Sequence, residues 1–214
     1  MIKNINKRIR SQRRSNEIDD LYPSFIIATE GTKTEIDYFR FLKEKCPRIR
    51  LNCFSGKFSN PISVLKTLQH RLSTVIDKFN EETDQAWVVI DKDSWEERDL
   101  EILFKESKKY KYLHIAVSNP KFEFWLLLHF DNKAGAGAKS SAKCTARLKQ
   151  FLPGYDKHLA PNVFTLERVK LAVMQAEKLD TPPCDGWPRE EGVTTVYRLV
   201  KNILQVMSGQ NAKP

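Results

Sequence analysis

Four short apolar runs alternate along this chain with stretches in which apolar residues recur every three or four positions. The runs are SFIIAT (24–29), RLNCF (50–54), AWVVID (86–91) and YLHIAVS (112–118). The third and fourth are almost unbroken, which is the pattern of parallel strands buried on both faces; the second is weaker and suits a place near an edge. Between them, Ile36, Phe39, Phe41 and Leu42 supply one helical stripe. A second follows Pro61, a residue suited to a first helical turn, through Leu65, Leu68, Leu72, Val75, Ile76 and Phe79. Leu100, Leu103 and Phe104 mark a third. This alternation predicts an α/β fold: a central, mostly parallel sheet flanked by helices, with a functional site at the carboxyl ends of the strands.

The last third changes character. DNKAGAGAKSSAK (131–143) reads as a mobile basic loop. Helical patterns resume at 145–152, at 165–179 and from 193 onward. In the last, Val193, Val196, Val200, Ile203 and Met207 form a stripe that suits a core or a partner helix. The expected organisation is a basic arm over 1–20, an α/β core over 21–132, and a basic loop with C-terminal helices over 133–214. Those helices form an extension packed on the core, not a separate domain.

Composition narrows the function. A chain of 214 residues, 41% hydrophobic and 29% charged, can bury one good-sized core. No apolar run is long enough to span a membrane and the N-terminus lacks an apolar signal region, so a cytoplasmic protein with no membrane partner is expected. Cys46, Cys53, Cys144 and Cys184 form no CxxC pair, which argues for separate reduced thiols and against zinc. No GxxxxGK[ST] occurs, so no nucleotide cofactor is expected.

Net charge is +9, and the first fourteen residues hold six Lys/Arg and no acid. Lys7, Arg8, Arg10, Arg13 and Arg14 of this arm, with Lys139 and Lys143 of the later loop, are candidate contacts to a nucleic-acid backbone, where they would release counterions. The alternative is a solvated, disordered arm.

The acidic residues carry the sharper signal. Asp91 and Asp93 end the third run, and residues two apart in an extended chain face the same side. Glu30 ends the first run. Parallel strands can bring these three acids to one edge, where their mutual repulsion calls for a cation; oxygen ligands suit Mg²⁺ or Mn²⁺. Acids also follow strands simply because loops are polar and helix N-termini favour negative charge. Gly31 suits a tight strand-to-helix turn, and Lys33 either steadies a phosphate or is solvated. Thr32 to Glu35 spells a capping box, in which Glu35 reaches back to the Thr32 amide and takes no part in chemistry; the alternative is that Glu35 belongs to the metal site. Glu123 is a lone acid among Phe122, Phe124, Trp125, Leu126 and Leu127. A buried carboxylate needs a partner, which is either the same cation or a salt bridge to Lys121 or an arginine. His129 is expected to be packed or capped.

TEGTKTE at 29–35 and VIDKD at 89–93 resemble the two signatures of the Toprim (topoisomerase–primase) domain. SNPKFEFWLLLHF at 118–130, with the basic arm and the late GVTTVYRLVKNIL, resembles the RloB-like group of small bacterial and archaeal proteins often found at restriction–modification and phage-defence loci. This resemblance implies a Toprim-like core and Mg²⁺-dependent phosphodiester chemistry, with Mn²⁺ as a substitute. It assigns Glu30, Asp91 and Asp93 to catalysis and, with Glu123, to the metal; Lys33, read from its place on the turn, would join the catalytic set by steadying a phosphate. Glu123 resembles a later acid of overcoming-lysogenization-defect nucleases. The function implied is a nuclease acting on DNA or RNA in defence against mobile elements. Alternatives are a non-catalytic nucleic-acid-binding or regulatory subunit with a partner protein, and a small RNA-maturation nuclease. A topoisomerase would need a tyrosine module for which this chain has little room.

Overall fold

A computed structural model describes residues 22–56, 60–92, 95–133, 135–160 and 163–209. The basic arm with Lys7, Arg8, Arg10, Arg13 and Arg14 lies outside the described residues, as does Asp93. The four expected strands form as β1 (Ser24–Thr29), β2 (Arg50–Ser55), β3 (Gln85–Asp91) and β4 (Leu113–Asn119). The intervening helices are α1 (Thr34–Lys45), α2 (Pro61–Ser73) and α3 (Glu97–Ser107). After β4 come α4 (Phe122–Leu127), α5 (Ser141–Phe151), α6 (Leu166–Leu179), β5 (Val193–Thr194) and α7 (Val196–Met207). The protein is α/β, with a five-stranded sheet in the order β2-β1-β3-β4-β5; β1 to β4 are parallel and β5 is antiparallel. RLNCF thus lies at an edge.

The runs of β1, β3 and β4 are largely apolar because both faces of the sheet are covered there, whereas β2 at the edge is only partly buried. Phe25, Ile27, Trp87 and Val89 point into a core made with Tyr38, Phe39 and Leu42 of α1 and with α4 to α7. Ile26, Ala28, Val88 and Ile90 point into the opposite core, made with Val64, Leu65 and Leu68 of α2 and Leu100 and Leu103 of α3. Local chemistry sets the helix starts. The Asn60 side chain accepts from Ser63 N at 2.9 Å, and Pro61 follows in the first turn.

The C-terminal third differs from the sequence reading in two places. Val193 is in a strand rather than a helix, and the rest of its stripe, Val196, Val200 and Ile203, is buried in the first core against β4 and α6. The described residues of the stretch read as a mobile loop make specific contacts with the core and with α5. Asp131 accepts from Arg147 Nε at 3.0 Å, Ala138 is buried, and Gly135 packs on the Phe124 ring at φ +65°, where a Cβ would lie 2.6 Å from Cε2. The four cysteines are unpaired. Among the described residues no helix is long and apolar enough to cross a membrane.

Candidate functional site

The parallel pairing of β1 with β3 brings their carboxyl ends together. Glu30 follows β1, and Asp91 closes β3. The Glu30 amide donates to Val89 O at 3.0 Å, and its Oε2 accepts from Asp91 N and from Trp95 Nε1, both at 3.1 Å. Asp91 Oδ1 in turn accepts from Phe122 N at 2.8 Å, which ties the end of β3 to the start of α4. Both expected acids are therefore oriented by backbone and indole N–H groups.

A pocket of about 350 Å³ opens on this edge. Its lining includes Glu30, Asp91 and Glu123, as expected, and also Glu35 and Lys157. Glu35 corrects the sequence reading. Its capping box does not form, because α1 begins at Thr34 with Lys33 in the cap position; Glu35 is then the second helical residue rather than the third. The side chain turns inward, is 5% exposed, and accepts from Gly31 N at 3.2 Å. Gly31 has no side chain for this reason: a Cβ there would lie 2.0 Å from Glu35 Oε2. Burial, seconded by the nearby Glu123 charge, raises the Glu35 pKa from the ordinary carboxylate value to about 7.

Glu123 is buried at 2% exposure. Its partner is neither Lys121 nor an arginine but Lys157, whose Nζ donates to Oε1, as does Tyr155 Oη at 3.0 Å. Burial alone would raise the Glu123 pKa; the Lys157 hydrogen bond and charge outweigh it and hold the carboxyl below its ordinary value. Reciprocally, burial depresses Lys157, but Glu123, Asp91 and Glu35 together raise its pKa. Lys157 sits at φ +81°, a conformation uncommon outside glycine, and its carbonyl accepts from Thr34 Oγ1 at 2.8 Å. Thr34 Oγ1 also lies 2.9 Å from Tyr155 Oη, so the 155–157 segment is clamped to the start of α1.

The remaining expectations fall as follows. Lys33 is exposed on the pocket wall. Lys139 and Lys143 are exposed but do not line the pocket. His129 is packed, with Nδ1 on Trp125 O at 3.0 Å and Nε2 on Tyr38 Oη at 3.1 Å; burial lowers its pKa to about 3. Sequence reasoning missed Glu35, Tyr155 and Lys157. A signal for Glu35 existed: it precedes Tyr38, Phe39 and Leu42 by three, four and seven residues, which places it on the buried face of α1. Nothing local marks Lys157.

Among the described residues, no three Asp, Glu, His or Cys side chains are arranged to hold a metal ion. The chemistry of the donor set nonetheless fits a hard divalent cation. Every acidic group on the pocket offers carboxylate oxygen, and Glu35 is pushed towards protonation despite the ammonium of Lys157. A cation beside Glu35 would favour its charged form against the burial that raises its pKa.

Comparison with curated proteins and with solved structures returned no match. A family model described as RloB-like protein matches residues 25–203, from the first strand to within the last helix and so across every side chain of the pocket. The chain belongs to the RloB-like protein family.

Proposed function

We propose that this protein is a Mg²⁺-dependent nuclease of Toprim type that hydrolyses phosphodiester bonds of DNA or RNA in defence against mobile elements. The observation that carries this reading is the convergence of Glu30, Glu35, Asp91 and Glu123 on one open pocket at the carboxyl ends of β1 and β3. Asp91, Glu30 and Glu123, with Asp93, would hold the cation. When bound, Mg²⁺ supplies Lewis-acid charge to the phosphate. The chain's own groups divide the remaining work. Lys33 and Lys157 present ammonium groups at the pocket for a phosphate oxygen. Glu35, with a pKa near neutrality, accepts the proton of the water that attacks phosphorus as the P–O bond to the leaving oxygen breaks. Glu30, held by two N–H donors, orients the edge instead of moving a proton.

The test is hydrolysis of plasmid, single-stranded DNA and tRNA with Mg²⁺ or Mn²⁺, comparing wild type with Glu30→Gln and Asp91→Asn. Losses of about 10²-fold or more in both variants, at unchanged melting temperature, are expected. Equal rates in all three proteins would sink the assignment. A second reading is favoured by the Lys157–Glu123 pair, which already offsets part of the acidic charge. In that reading the protein is a non-catalytic nucleic-acid-binding subunit. It requires binding that survives EDTA, with no cleavage of any of the three substrates.

A further inference from the structure

On the β4 side, the described strands leave the edge of the sheet partly open. Among the described residues, β5 pairs only with Ser118 and Asn119 of β4, so no strand lies beside Leu113–Ala116 on that side. The direction of the free peptide groups follows from the register. Ala86 N donates to Tyr112 O and Lys92 N to Ser118 O, so even-numbered residues of β4 face β3. Gly192 N donates to Asn119 O and Thr195 N to Val117 O, so odd-numbered residues face outward. Ile115 therefore directs both its N–H and its C=O towards the open side.

A cleft of about 570 Å³ wraps this edge, with Leu113, His114 and Ile115 in its lining. Its walls come from both faces of the sheet. The His114 ring lies tilted against Trp87 of the first core, with centroids 4.7 Å apart, and Phe104 packs on the second. The rim is basic: Lys108, Lys109 and Lys111 are exposed, Arg198 is part-buried, and Asp185 is the one acid in the lining. The exposed Lys109–Glu106 and Lys108–Asp185 pairs are weak and exchange readily for other partners.

We propose that the open edge of β4 is a docking site for an extended, acidic segment of a partner protein, which adds to the sheet as a strand in line with β5. Strand addition draws affinity from main-chain hydrogen bonds and selectivity from the side chains flanking them. Here the flanking groups are lysines, so carboxylates complement them. The chain's own undescribed ends do not: residues 1–21 hold six Lys/Arg against three acids, and the last five residues hold a lysine and no acidic side chain. A nucleic acid would use the lysines alone. It has no alternating donors and acceptors to match a strand edge.

The proposal stands apart from the acid pocket, which lies at the opposite ends of the strands. The probe is a phage-displayed library of random dodecapeptides, selected on the full-length protein. Enriched sequences should be acidic, bind less tightly as salt rises, and protect the Ile115 amide from hydrogen exchange. Ile115→Pro removes the outward-facing N–H, together with part of the packing of Ile115 on the second core, and should weaken binding by about tenfold or more, as should Lys108→Glu combined with Lys111→Glu. Circular dichroism checks that both variants fold; if Ile115→Pro does not, exchange at Ile115 in the wild type decides. Absence of enriched peptides, or binders indifferent to both variants and silent at Ile115, would overturn the proposal. So would a fluorescent single-stranded oligonucleotide whose binding needs Lys108 and Lys111 while no peptide binds there.

Discussion

Glu35→Gln should make the protein more stable, and only above about pH 5. Glutamine keeps the shape of the side chain and an oxygen to accept from Gly31 N, so the pocket loses a charge and little else. In the folded protein Glu35 titrates near pH 7, against an ordinary value of 4.5. Between those values the folded chain holds a proton that the unfolded chain has released. The unfolded state thus binds fewer protons, and stability falls as pH rises through that window. The penalty is absent below the lower value and complete above the higher one. A shift of this size on a buried group corresponds to about 3 kcal/mol, so Glu35→Gln should raise the melting temperature at pH 8 by roughly 5–10 °C. Scanning calorimetry or urea unfolding of both proteins from pH 4.5 to 9, in EDTA, measures the difference. Other groups titrate equally in both and largely cancel. Stability curves that run parallel across the whole range would refute the reasoning, because they would mean that the Glu35 carboxylate is solvated or already compensated.

The same experiment with Mn²⁺ in place of EDTA should shrink the difference between the two proteins, since a cation beside Glu35 lowers its folded pKa; an unchanged difference would speak against metal in this pocket. Lys157→Met should destabilise by about 1–2 kcal/mol at pH 8, because Glu123 is left buried with one strong partner fewer, and by less at pH 5, where Glu123 can protonate instead. Denaturant unfolding at the two pH values tests this, and an equal loss at both would refute it. Ile203→Ala should cost about 2–5 kcal/mol without changing the oligomeric state, as its side chain is fully buried in the first core. Calorimetry with light scattering distinguishes this from a role in partner binding, which would leave monomer stability intact.

The amino-acid sequence by itself determined where the four parallel strands lie and that the third and fourth are covered on both faces. Continuous apolar runs such as AWVVID have no other way to be satisfied in water. It also determined that Glu30 and Asp91 stand at strand ends, because parallel strands carry their last residues to the same edge. Pro61 was enough to start α2 at the right residue. The tertiary structure alone decided the rest, and in each case through contacts between residues far apart in the chain. Lys157 reaches Glu123 across 34 positions from a backbone conformation that no local pattern announces. β5 exists because two residues meet the end of β4, which is too short a match for any period to register. Glu35 is the instructive case. Its T-x-x-E spacing suited a cap, but α1 starts one residue later, and the buried face of that helix carries the carboxylate into the pocket. Local spacing describes what a side chain can reach along its own helix; only packing decides which face is turned inward.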